Sequence, residues 1–269
     1  TGGTSTGGGA TGGGSTGSPP LVATADVRLY DAVRFLIDGE SPVQTGVAPG
    51  TIQTQRAAVL RGRVLDSSGQ PLPGVDIRIL GHPELGSTAS RAQTGEFDML
   101  VNGGGKLTLI FQAAGYITVH RSVEAPWEDY LVLDDVAMSE RDPAPDQVDL
   151  SQPGMKVSLG ELEQDADGQR RSVLLIDESV QINAFDAVIV GDKVTVGQVE
   201  HTVGPLGPNA MPANLPAFNA YNLCFSFELL EASAQGATRI EFNPPLIHYV
   251  DNFQQLEPGF EIATGSYDP

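Results

Sequence analysis

The side chains best able to do chemistry in this chain are four histidines, one cysteine and one tryptophan: His82, His120, His201, His248, Cys224 and Trp127. The histidines are scattered, with no H-E-x-x-H pair or similarly tight ligand spacing, so no metal site and no catalytic residue is expected. His82 precedes Pro83 in a turn, where a structural hydrogen bond is the expected role; the other three lie in or beside strand-like runs, as surface or packed imidazoles. Cys224, in the apolar run Leu223-Cys224-Phe225, reads as a small core residue. A lone cysteine supports neither an internal disulfide nor a thiolate metal site, and it leaves the question of secretion open. No G-x-S-x-G elbow joins a strand to a helix, and the Gly-rich runs lack the Lys-Ser/Thr ending of a phosphate loop, so no cofactor is expected. Glu163-Gln164-Asp165-Ala166-Asp167-Gly168 resembles the first half of a calcium loop. The later acidic ligands are missing, and a polar hairpin tip with Gly168 at positive φ is expected instead. Trp127 has two possible roles: a platform on which sugar or peptide stacks, or a plug closing one end of a sandwich. Packing is the expected one.

The elements that position these groups read as short strands. Strands are expected around Arg61-Gly62-Arg63, at 75–79, 97–101, 107–111, 115–119 and 130–133, separated by turns at Ser68-Gly69, Pro73-Gly74 and Gly103–Gly105. That density suits a small Greek-key sandwich. After a Pro-rich, acidic boundary at 141–155, strands recur at 172–176, 187–190, 193–197, 222–229 and 238–242. Residues 204–218 form a Pro-rich stretch without strands. Val27, Leu29, Val33, Leu36 and Ile37 form one face of a short helix within a lead-in at 21–55. Residues 1–20 contain only Gly, Ser, Thr, Ala and Pro and have nothing apolar to bury, so they read as a flexible linker. The linker is either a tether or an artificial spacer. Such tethers often follow a lipidated cysteine, and an anchor of that kind would lie ahead of residue 1.

The expected organisation is therefore a linker at 1–20, a lead-in at 21–55, a β-sandwich at 56–142 and a second β-rich domain at 146–269. Composition agrees with an all-β class: among 269 residues, 40% are apolar and only 18% charged, with 32 Gly and 19 Pro. The net charge of −19 makes nucleic acid and anionic lipid poor partners. No run approaches the roughly 20 apolar residues of a transmembrane helix.

Gly62-Arg63-Val64-Leu65-Asp66-Ser67-Ser68-Gly69-Gln70-Pro71-Leu72-Pro73-Gly74-Val75, with Thr94-Gly95-Glu96-Phe97 and Ala114-Gly115-Tyr116, resembles the carboxypeptidase-regulatory-like, or transthyretin-like, module. Gly81-His82-Pro83-Glu84-Leu85-Gly86-Ser87-Thr88, the 97–105 segment and Pro126-Trp127-Glu128-Asp129-Tyr130 narrow this to a resemblance to the N-terminal flank of bacterial Rhs/YD-repeat proteins and of animal teneurins. The resemblance extends upstream to Val43 and downstream through Thr202-Val203-Gly204-Pro205, Tyr249-Val250-Asp251-Asn252-Phe253 and Gly265-Ser266-Tyr267-Asp268. It implies a transthyretin-like (prealbumin-like) Greek-key sandwich followed by a second β-rich domain. It also implies no peptidase activity and an extracytoplasmic, secreted or cell-surface location. In relatives of this type a repeat shell follows, and the chain reads as an excised fragment or the product of a gene that stops early. Transthyretin-like modules sometimes form Lys–Asn isopeptide bonds. Here the first strand offers Arg61 and Arg63, and Lys106 lies beside the glycine turn, so no crosslink is expected.

Two functions follow from the resemblance and the residues. One is a non-catalytic structural module that packs against or orients the repeat shell, on the same or a neighbouring chain. The alternative is an independent module that binds a glycan or protein on its tether. The possible interaction surface comprises Trp127, Met211, Leu215, Tyr249, Phe253 and Leu256. It is expected either to self-associate weakly or order on a downstream partner, or to fold back into its own core.

Overall fold

The computed structural model describes residues 28–214, 223–237, 239–262 and 264–266. The linker at 1–20, Val27, Leu215 and the Tyr267-Asp268 end of the last motif lie outside the described residues. The lead-in opens with α1 (Leu29–Val33) and a 3-10 turn (Arg34–Leu36), which bury Val33 and Leu36. Nine strands follow: β1 (Gln44–Thr45), β2 (Ala57–Asp66), β3 (Asp76–Ile79), β4 (Ser87–Ala89), β5 (Glu96–Asn102), β6 (Gly105–Gln112), β7 (Val119–Ala125), β8 (Tyr130–Val132) and β9 (Val136–Met138).

They make two facing sheets. One runs β1-β4-β3-β6-β7, and the other runs β5-β2-β8, with β9 continuing parallel to the far end of β2. Period-two alternation in β3 sends Ile77 and Ile79 inward and Arg78 outward. β2 is less regular: Ala57 to Leu60 are all buried, because the lead-in covers the face that would otherwise meet water. Between the sheets Phe97 meets Phe111 edge to face at 5.5 Å, among Leu60, Ile77, Met99 and Leu109. The buried Gln44 amide donates to the carbonyls of Leu85 (2.7 Å) and Leu100 (3.0 Å) and accepts from the Leu100 amide (2.7 Å). A two-residue strand is thereby locked to both sheets with no polar group left unpaired.

The C-terminal part adds β10 (Asp146–Asp149), β11 (Lys156–Asp165), β12 (Gly168–Ile176), β13 (Gln181–Phe185), β14 (Lys193–Glu200), β15 (Phe225–Leu229), β16 (Arg239–Asn243) and β17 (Ile247–Val250). Two short helices, α2 (Gly207–Ala210) and α3 (Leu230–Ser233), interrupt them. The strands form sheets β10-β14-β15 and β11-β12-β17 and a ribbon β13-β16. A second hydrophobic cluster, with Val148, Leu174, Ile176, Val194, Val196, Leu229 and Ala232, lies between them.

Two expected strands differ from what forms. Residues 187–190 are not a strand. Asp186 has φ 64, which turns the chain out of β13, and the Val188 backbone bonds the Gln235 side chain through both N–H (3.1 Å) and C=O (2.9 Å). Val188 and Val190 are left exposed. The strand expected at 115–119 begins at Val119, because Gly115 adopts φ 83 in a turn.

Candidate interaction site

The Pro-rich stretch does not stand free: its described part, 204–214, lies along the N-terminal sandwich. β7 is an edge strand, paired on one side only, by β6. On its open side the His120 amide donates to the Pro212 carbonyl at 2.7 Å, and the Ser122 amide donates to Asn214 Oδ1 at 2.6 Å. Arg121 extends Nη1 to the Met211 carbonyl (2.9 Å) and Nη2 to the Asn209 carbonyl (2.6 Å). The segment thus satisfies the alternate donors that an open edge would present to another chain. Met211, a candidate either for an open surface or for the molecule's own core, is 2% exposed, and Ala210 beside it 3%.

A second set of bonds ties residues 139–142 to β14 and β15. His201 is 1% exposed; its Nδ1 meets Ser139 Oγ at 2.9 Å and its Nε2 meets Ser226 Oγ at 2.8 Å. Burial lowers the His201 pKa to about 4, so the ring is neutral and bridges the two parts as a hydrogen-bonding strut. Arg141 donates to Glu228 Oε1 at 2.6 Å and to the Tyr116 carbonyl at 3.2 Å, and Asp142 accepts from the Gln198 amide at 3.0 Å.

Beside these bonds a cleft of about 330 Å³ opens between the two parts, with Glu140, Asp142, Glu161, Glu163 and Glu200 on its walls. Burial raises the Glu163 pKa, and neighbouring Glu161 and Glu200 raise it further. At its edge Arg170, 2% exposed, forks onto Asp165 (3.0 and 2.9 Å), reaches Glu200 Oε2 at 3.1 Å and lies 4.6 Å from the Phe253 ring centroid. Asp165 pairs with Gly168 (φ 133) at the expected hairpin tip, so this carboxylate is engaged by arginine within its own hairpin. Among the described residues no three His, Cys, Asp or Glu side chains are grouped to hold a metal ion.

The inner face of the β11-β12-β17 sheet carries a further polar chain. Ser172 Oγ donates to Gln198 Oε1 at 2.6 Å, Gln198 Nε2 donates to Ser158 Oγ at 2.8 Å, and Ser172 Oγ lies 2.9 Å from His248 Nε2. Ser172 has one proton and gives it to Gln198, so His248 is the donor in the remaining bond. The histidine therefore cannot act as base toward this serine, which is itself only 2% exposed. Burial raises the Cys224 pKa to about 11, with Glu200 adding to the rise, which keeps the thiol protonated and unreactive.

The remaining expected surface residues are dispersed. Trp127 is 61% exposed and lies against the Gly104 turn: a Cβ on Gly104 would stand 1.7 Å from Nε1. Arg56 lies 5.8 Å from its ring. Instead of plugging the sandwich, the indole stands against a glycine turn and stays largely exposed. Tyr249 is 57% exposed, on the outer face of β17. Phe253 covers Arg170, and Leu256 closes a small loop through its amide to Asn252 Oδ1 at 2.9 Å. The structure does not bring these side chains together. The Arg170 cluster and the His201 strut escaped sequence reasoning, because each joins residues far apart in the chain. The one legible signal was that Arg170 and Ser172 share a parity with apolar Leu174 and Ile176 in β12.

This arrangement of two sheets, with a short lead-in strand at one edge and a parallel return beside β2, has a match among known domains. Residues 52–138 match the family model of the teneurin TTR-like domain. The all-β, transthyretin-like sandwich expected from sequence is the fold of this segment. Teneurin-1 of Gallus gallus is 39% identical over 122 residues, 45% of this chain and 4% of that protein. Teneurin-m of Drosophila melanogaster is 38% identical over 121 residues, again 45% and 4%. Teneurin-4 of Mus musculus aligns over 170 residues at 32% identity, 61% of this chain and 6% of that one. The chain thus spans only a small fraction of the length of these relatives. Among solved structures, the streptococcal ancillary pilin overlays with a TM-score of 0.28 at 13% identity, covering 52% of this chain and 58% of that one, too slight a likeness to carry an argument.

Proposed function

We propose that this chain is a non-catalytic structural module of a secreted or cell-surface protein of the Rhs/YD-repeat type, and that it packs against or orients an adjacent repeat shell. The supporting observation is the TTR-like match at 52–138, joined to a second β-rich part through the β7 edge and the His201 strut. In this reading the two parts, 56–142 and 146–269, act as one stiff bracket. Groups that could do chemistry are used up in holding it: His201, His248, Ser172 and Arg170 are committed to structural bonds. The test is to titrate the chain with a separately produced repeat shell of the Rhs/YD-repeat type and to measure their association by calorimetry. Saturable 1:1 binding, with a raised melting temperature and no hydrolase activity, is expected. A blank titration would overturn the reading.

The exposed Trp127 favours a second reading, a glycan- or protein-binding module, because an exposed indole can stack a ring. Glycan-array signal that disappears in Trp127→Ala would support it; a blank array at high protein concentration would remove it.

A further inference from the structure

The three-stranded sheet β11-β12-β17 turns apolar side chains to water as well as to the core. Register places Val157, Leu175 and Ile247 side by side, and Leu159, Val173 and Tyr249 in the next row. Side chains alternate along each strand, so these six share one face, while Ser158, Leu174 and His248 share the other. Ser158 and Ser172 are buried within the chain, whereas Val157, Leu159, Ile247 and Tyr249 are 52%, 44%, 46% and 57% exposed. A sheet covered on one side normally turns its aliphatic residues inward and its polar residues to water. Here the interior side carries the Ser158–Gln198–Ser172–His248 hydrogen bonds beside the buried Leu174 and Ile176, and the solvent side carries two full rows of apolar side chains.

The geometry points to a second copy of this chain as the cover for that face, two copies packing sheet against sheet about a two-fold axis. Charge selects this occupant. The chain carries −19, yet none of the six positions is charged, so copies repel each other least when they approach here. The next row ends the face with Leu162 and Arg171, whose Nε is buried without a hydrogen-bond partner, and with the exposed Asp251 following β17. A two-fold operation can set the cation of one copy against a carboxylate of the other, which is the self-complementarity an isologous interface requires. Three strands about 4.8 Å apart and four residues deep give a patch of about 200 Å². Stable interfaces cover roughly 800 Å² on each partner, so the dimer is weak.

Sedimentation of the full 269-residue chain from micromolar to millimolar concentration, at low and high salt, tests this. A reversible monomer–dimer equilibrium that tightens with salt is expected, because salt screens the like charge of the copies. Leu159→Lys and, separately, Tyr249→Glu should each weaken it at least tenfold while the melting temperature and near-ultraviolet spectrum stay unchanged. Trp127→Ala, an exposed aromatic away from this face, should leave it intact. A monomer at millimolar concentration in both salts, open-ended association, a dimer that survives both face substitutions, or one lost in Trp127→Ala would overturn the proposal.

Discussion

His201 shows how a residue with catalytic potential becomes a structural part. Both ring nitrogens are occupied by serine hydroxyls, one from each side of the junction, and burial holds the pKa at about 4 against 6.5 for the free side chain. The unfolded chain therefore takes up a proton between pH 6.5 and 4 that the folded chain refuses. The resulting stability is full above pH 6.5, falls as pH drops toward 4 and changes no further below it. Its size across that window is about 3 kcal/mol. Glu163 and Glu228 work in the opposite sense, since their raised values let the folded form bind protons more readily. The clean measurement is the difference between the wild type and His201→Gln: urea-unfolding free energies should converge as pH falls through that window. Parallel curves would show that the ring titrates normally. Arg170 gives a second case. Arg170→Met strands Asp165 and Glu200 without their cation, and a loss of about 3–5 kcal/mol is expected in the same assay.

At the scale of elements, the edge of β7 carries the most specific expectation. Amides at His120 and Ser122 are held by 204–214 and not by a neighbouring strand, so their exchange with deuterium should report docking of that segment. Met211→Ala removes the buried anchor. It should cost about 2–4 kcal/mol and speed exchange at those two amides more than at residues of β6. Equal speeding at both strands in the variant would mean that the segment does not guard the edge. Elements with regular alternation and bounding turns, such as β3, β5 and β6, were legible from sequence, because side-chain parity and Gly or Pro turns are local signals. The run Ala187-Val188-Ile189-Val190 was misleading for the same reason: it has strand composition, but the side-chain amide of Gln235, 47 residues later, claims its backbone. Strands β4, β9 and β17 escaped because they are short and gain their place from partners. The ten residues of β11 were not read as a strand, because they directly follow the Pro-rich, acidic stretch at 141–155.

For the whole molecule, a peptide boundary near residue 145 does not imply two independent bodies. The segment crossing back at 204–214 and the bonds of Arg141, Asp142 and His201 join the parts on both sides of that boundary. Proteolysis between 142 and 146 should therefore leave two fragments that co-elute under native conditions and separate only in denaturant. Fragments that separate on a sizing column at once would show that the junction is weaker than its bonds suggest. Among the described residues no helix is long and apolar enough to cross a membrane.

The segment that runs along β7 has a practical corollary for anyone who would transplant the TTR-like portion into another protein. A graft bounded by the familiar sequence motif would stop near residue 138 and leave behind the residues that guard its margin. The donor backbone would arrive with a raw seam, ready to recruit whatever extended peptide the new host supplies. A portable version needs residues 207–214 supplied in trans or stitched on by a linker. The smallest transferable unit of this protein is thus discontinuous along its gene.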